Sequence, residues 1–326
     1  MKPFGISLFL SVALSVQAAE PLTMKLTETI PLPGVKGRFD HFAIDTKGHR
    51  LFVAALGNNT LEVLDIAAAK RLKSVTGLHK PQGVLYLGEQ NQIAVANGDD
   101  GTLKLFDGTS YQLLKTLGSL DDADNVRFDS NTKLLYVGYG DGALGITDPS
   151  AEKLIATVKL PAHPESFQLE KEGKRIFVNV PDAKTVAVMD REKRQVVARW
   201  PMTQFQANFP MALDESTDRL FVGCRKPPRL LVFDTESGKP VTDLEISGDT
   251  DDLFFDNKHS RIYVSCGAGF LDVIQRREGD RYERIASQPT RAGARTCFYS
   301  PELDRLYLAV PQQGRQDAQI RIYQPE

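Results

Sequence analysis

The chain has 326 residues, of which 41% are hydrophobic and 25% charged, with a formal net charge of −2 and a pI of about 6.3. Charge so nearly balanced does not indicate a nucleic-acid or anionic-membrane partner. Three cysteines, Cys224, Cys266 and Cys297, are too few for a disulfide scaffold, and buried thiols are expected.

Met1-Lys2, an apolar stretch from Phe4 to Val16 and the small-residue exit Val16-Gln17-Ala18 form the pattern of a secretory signal peptide. Cleavage after Ala18 is expected, so residues 1–18 are read as the signal and residues 19–326 as one folded domain in the periplasm or outside the cell. No later run is long and apolar enough to span a bilayer.

Residues Thr23 to Leu32 read as a strand. A repeat follows. Tetrapeptides of one type recur at Leu51–Ala54, Ile93–Ala96, Leu135–Gly138, Ile176–Asn179, Leu220–Gly223, Ile262–Ser265 and Leu306–Ala309. Eight residues before the third position of each stands Asp45, Leu87, Asp129, Glu170, Asp214, Asp256 or Ser300, at successive offsets of 42, 42, 41, 44, 42 and 44. Seven units of about this length, each with short strands separated by turn residues, predict an all-β, seven-bladed β-propeller. In the second unit the strands are expected at Gly83 to Leu87, Gln92 to Ala96, Thr102 to Asp107 and Tyr111 to Leu117. The third strands, such as Thr60 to Asp65 and Thr185 to Asp190, end in an aspartate suited to capping the next turn. The seventh unit has three residues left after its strand Gln319 to Tyr323, so strand Thr23 to Leu32 is expected to complete the last blade and close the ring.

With strands ending in sequences such as Leu135-Tyr136-Val137-Gly138 and Ile176-Phe177-Val178-Asn179, and third strands ending in Asp, the repeats resemble the YVTN type found in YncE-like exported seven-bladed propellers. The resemblance covers the chain from about Thr23 to Tyr323. It implies the fold, and a ligand site where the loops entering the innermost strands converge on one mouth of the channel. The single tryptophan, Trp200, excludes WD repeats and tryptophan-docked propellers, and five histidines are too few for a multicopper cluster.

Counting five residues back from each marker gives Asp40, Gln82, Asp124, Glu165, Phe209, Asp251 and Arg295; counting four back gives His41, Gly83, Asn125, Ser166, Pro210, Asp252 and Thr296. Carboxylates gathered at one repeat position repel one another unless a cation, Arg295 or the His41 ring compensates. Asp40, His41, Asp124, Glu165 and Asp251 form a mixed nitrogen and oxygen set suited to a hard or borderline divalent cation. Polar residues there also serve a propeller by bonding backbone groups of neighbouring blades. His79 and His163 lie on entry loops within reach of the rim, while His49 and His259 fall on the opposite turns. Arg225, Lys226, Arg229 and Arg295 come from the fifth and seventh units and Asp99, Asp100, Asp121, Asp122 and Asp124 from the second and third, a polarised face that could orient an anionic ligand or a protein partner. No Gly-x-Ser-x-Gly, Cys-x-x-Cys or His-Glu-x-x-His motif occurs.

These features favour a monomeric binding or interaction protein that takes a small molecule, a divalent cation or a protein partner at the mouth. Two alternatives stay open: an enzyme similar to propeller lactonases and lactone-forming cyclases, with Glu165 or His41 as general base and Arg295 holding a developing oxyanion, and an accessory subunit of a periplasmic dehydrogenase.

Overall fold

The computed structural model describes residues 24–326 apart from residue 152, so the expected signal peptide lies outside the described residues. The chain folds into seven four-stranded antiparallel sheets, arranged as the blades of a β-propeller, with two one-turn 3-10 segments as its only helical elements among the described residues.

The tetrapeptides form the second strand of each blade, and their side chains are almost wholly buried. A strand buried on both faces reads as a continuous apolar run, and here both faces are covered by other blades. Leu51 and Val53 pack with Ile30, Tyr307 and Ile320 of blade seven, whereas Phe52 and Ala54 on the alternate face pack with Val84, Ile93 and Val95 of blade two. Ile176 and Val178 likewise face blade three, and Phe177 faces blade five. The core is therefore divided among the seven junctions between blades, each an interdigitated sandwich. Trp200 fills the junction of blades four and five, with ring centroids 5.4 Å from Phe177 and 5.7 Å from Phe233. Cys224, Cys266 and Cys297 are buried free thiols, as expected.

The ring closes as the repeat count requires. Strand Met24–Leu32 pairs antiparallel with Ala318–Pro325, from Met24 opposite Pro325 to Leu32 opposite Ala318, and completes the sheet that holds Arg305–Val310 and Cys297–Ser300.

Turn chemistry holds the outer geometry. Asp65, Asp107, Asp190 and Asp234, each ending a third strand, accept backbone N–H bonds from residues two or three further on, at 2.7 to 3.1 Å. The marker acids at the ends of the innermost strands do the same on the face away from the mouth, where Gly48 donates to Asp45, Asn131 to Asp129 and His259 to Asp256. Two of them also tie blades together: Arg191 reaches Asp129 at 3.1 Å and Arg276 reaches Asp214 at 2.9 Å, both across 62 residues of sequence.

Candidate functional site at the channel mouth

In blades one, three and four a shared backbone device places one residue at the mouth. Just before the innermost strand, the amides of Asp40, Asp124 and Glu165 donate to the carbonyls of Ala54, Gly138 and Asn179, each at 2.9 Å. The same three partners donate back to His41, Asn125 and Ser166. In blades two, five and six a β-bulge interrupts the ladder at this place, between Pro81 and Val84, Asn208 and Met211, and Thr250 and Asp252. Bulges re-aim side chains in this way at many sites.

All seven residues of the five-back ring, Asp40, Gln82, Asp124, Glu165, Phe209, Asp251 and Arg295, line one concave mouth of about 220 Å³. From the four-back ring His41, Asn125 and Ser166 join them, while Asp252 lines the channel beneath. Four further residues there, Arg38, Lys80, Asp122 and His163, each stand two positions before a ring member. His79 is not part of the lining.

Charges at the mouth are largely paired. Arg38 lies 3.3 Å from Asp40, Lys80 3.4 Å from Asp122 and Arg295 3.0 Å from Asp249, while Arg225 pairs directly with Asp251 and lies over the Phe209 ring, 3.8 Å from its centroid. The polarised face read from the sequence is thus cross-linked: Arg225 and Arg295 are tied to acids of blade six. His41 sits at the floor with Nε2 3.7 Å from Asp40 and 3.9 Å from Asp124, and Nδ1 3.6 Å from Asp252. Burial works to lower its pKa, but these three carboxylates outweigh burial and hold the ring protonated, up to about 10. Burial raises the Asp40 carboxyl to about 7 and, against the pull of Arg225, the Asp251 carboxyl to about 6.

The proposed five-residue cation set therefore divides. Asp40 and Asp251 are engaged by arginines and His41 by three carboxylates, and none of the three joins the convergent group. That group is Asp124, His163 and Glu165, which bring one donor atom each within 4.8 Å of one another. Among the described residues, neither Asp124 nor Glu165 forms an ion pair with a lysine or arginine. His163 Nδ1 lies 2.7 Å from the Gly140 carbonyl, which can only accept, so Nδ1 carries the proton and Nε2 faces Asp124 Oδ2 at 3.9 Å. Metal-bound histidines are held in this way, with the far nitrogen donating to a fixed acceptor. Burial and the neighbouring Asp124 push Glu165 up to about 8, and interaction with Asp124 raises His163 to about 9. Asn125 lines the same mouth, is 2% exposed, and has an Oδ1 with no hydrogen-bond partner.

His163 was legible only as a rim residue. The missed signal was the register seven residues before each marker, which carries Arg38, Lys80, Asp122, His163 and Asp249. In five blades this position has positive φ, at Lys80, Asp122, Ala207, Asp249 and Gly293, a recurring turn that propensity does not announce. A second trio, Asp256, His259 and Asp304, lies on the opposite turns and is satisfied internally, with Tyr263 donating to Asp256 at 2.6 Å and Tyr299 to Asp304 at 3.0 Å.

No family model matches the chain, and no curated protein matches it in sequence. Solved structures do match in fold. A chain of the Kuenenia stuttgartiensis hydrazine synthase structure superposes with a TM-score of 0.75 at 15% identity, covering 85% of this chain and 95% of that one. A chain of a mitotic checkpoint complex superposes with a TM-score of 0.77 at 14% identity, covering 99% and 98%. Likeness at such identity shows the seven-bladed propeller fold alone.

Proposed function

We propose that this chain is an exported, YVTN-type binding propeller whose mouth takes one divalent cation through Asp124, His163 and Glu165. The observation that carries the reading is the placement of His163: its Nδ1–H is committed to Gly140 and its Nε2 faces Asp124, in a group whose two carboxylates have no lysine or arginine ion-pair partner among the described residues. Two carboxylates and an imidazole suit a borderline ion such as Mn²⁺ or Zn²⁺, and the Asn125 amide oxygen supplies a neutral acceptor nearby. Three protein ligands leave coordination positions open for a small oxygen ligand or a partner's side chain arriving at the mouth. The repeat period and the aspartate-ended third strands support the YVTN assignment, and the residue 1–18 pattern supports export.

Chelator-treated mature protein melted at pH 7 with Mn²⁺, Zn²⁺ or Ca²⁺ tests the reading. One of these ions should raise the melting temperature in proportion to the logarithm of its concentration above Kd. Glu165→Gln and His163→Ala should abolish the rise and Asp251→Asn should keep it; a parent indifferent to all three ions contradicts the proposal.

A second reading is favoured by one observation, that Glu165 is poised near neutrality in a concavity shared with Arg295. In that reading Glu165 is the general base of lactone hydrolysis and Arg295 holds the oxyanion. His41 does not suit the base role, because its carboxylate cage keeps it protonated. Titrating acid release from sugar and aromatic lactones checks this: Glu165→Gln should slow opening by roughly 10²–10⁴-fold, and an unchanged rate ends the assignment.

A further inference from the structure

Below the His41 floor the seven innermost strands enclose a second cavity of about 400 Å³, to which every blade contributes. Its walls are chiefly apolar and aromatic, with Leu85, Tyr86, Phe254, Phe255 and Phe298 around it. Into this space the innermost strand of blade three places Arg127. That arginine differs from those that pin strands and blades to carboxylates. Arg50, Arg175, Arg191, Arg219, Arg225 and Arg276 each lie within 3.1 Å of a carboxylate oxygen. Among the described residues Arg127 has no carboxylate oxygen within 4.0 Å and donates one hydrogen bond, to the carbonyl of its chain neighbour Val126 at 3.0 Å. Its other close neighbour is the Phe167 ring, 5.6 Å from the guanidinium carbon.

The two nearest acids are engaged elsewhere. Asp252, at the top of the cavity, takes the Cys297 amide on Oδ2 at 3.0 Å and faces His41 with Oδ1. Asp124 belongs to the mouth. A guanidinium carries five N–H donors in a planar fork, and Arg127 is partly exposed into this chiefly apolar cavity, so most of its donors are left for water or for an anion that enters. Burial lowers the Arg127 pKa, against the distant attraction of Asp252 and Asp124. The cavity's size lies within the ~300–1,000 Å³ of small-molecule sites, which are mostly apolar with a few placed polar groups.

We propose that the channel is a binding site for a small organic monocarboxylate with an apolar, ring-bearing body, its carboxylate forked by Arg127 and its body against Phe254, Phe255 and Phe298. A planar guanidinium matches a carboxylate in bidentate geometry, and the aromatic walls supply the area that a bare inorganic anion would leave unused. Ile44, Tyr86 and Phe255 are partly exposed, so the cavity is reached from the face opposite the mouth. This site is independent of the cation reading, since none of Asp124, His163 and Glu165 lines it.

Benzoate, acetate and benzyl alcohol titrated separately into the mature protein by calorimetry test the proposal, with Arg127→Met and Arg127→Gln as variants. Benzoate should bind the parent, acetate and benzyl alcohol more weakly, and the variants should lose roughly tenfold to a hundredfold in benzoate affinity while their benzyl alcohol affinity is unchanged. Glu165→Gln should bind benzoate like the parent. No benzoate binding to the parent, equal binding to the Arg127 variants, or acetate binding as tightly as benzoate would overturn it. Should both variants fail to fold, a crystal of the parent soaked in benzoate decides: the carboxylate on the Arg127 guanidinium supports the site, and density at the mouth or none at all refutes it.

Discussion

At the scale of single residues the mouth is governed by proton affinity. Glu165 holds its proton up to about 8, against roughly 4.3 for a free glutamate, because burial and Asp124 disfavour its charge. An acid whose folded-state pKa is raised favours folding while protonated, and that contribution drains away as pH climbs from about 4 to about 8. Glu165→Gln, neutral at every pH, should therefore match the metal-free parent in stability near pH 5 and exceed it near pH 9; chemical denaturation at both values measures this, and a difference that does not change with pH would contradict it. The five-back ring was readable by counting because the period fixes its place before each innermost strand, through one backbone pairing in blades one, three and four and a bulge in blades two, five and six. The partition within the ring was not, since it depends on whether Arg38 or Arg225 reaches an acid, which period does not encode. The isolation of Arg127 was equally hidden, because it is a property of what fails to surround the residue.

Among the elements, the strand Met24–Leu32 closes the ring. Met24, Ile30 and Leu32 are fully buried there, and fully burying such side chains is worth about 1.5–3 kcal/mol each. Its removal also opens the edge of Ala318–Pro325. A chain truncated to begin at Pro33 should melt at least ~10 °C lower, taking roughly 2–4 °C per kcal/mol for domains of a couple of hundred residues. Scanning calorimetry checks this, and a truncated chain as stable as the parent would sink the closure. Strand positions were largely legible: Thr60–Asp65, Thr102–Asp107 and Thr185–Asp190 have the bounds that apolar alternation and the terminal aspartate specify. Entry strands ran longer than pattern indicated, as in Pro81–Leu87, because a bulge carries the ladder past the point where alternation breaks.

For the whole molecule, the clustered groups act in one direction. Asp40, Asp251 and Glu165 have raised pKa values of about 7, 6 and 8, and His41 and His163 of about 10 and 9, so each binds protons more tightly folded than unfolded. The carboxylates contribute stability that fades above about pH 4, and the histidines stability that is complete below about pH 6.5 and lost as pH passes their folded values. Asp45, Asp234 and Asp280, whose pKa values are lowered by hydrogen bonds and arginines, work oppositely, and their contribution is lost on acidification below about pH 4. Metal-free protein should consequently melt highest in mild acid and progressively lower toward pH 9, and melting temperatures flat across that range would refute this. The propeller itself was legible as a period, since every blade must bury the same strand on both faces. A cation at the mouth has to displace the protons that His163 and Glu165 hold at neutral pH. The most direct measurement is therefore calorimetric titration of Mn²⁺ or Zn²⁺ into chelator-treated protein at pH 7 in two buffers of different ionisation enthalpy. The account predicts one ion per chain with release of about one to two protons, both lost in His163→Ala and Glu165→Gln; binding without proton release, or binding that persists unchanged in the two variants, would contradict it.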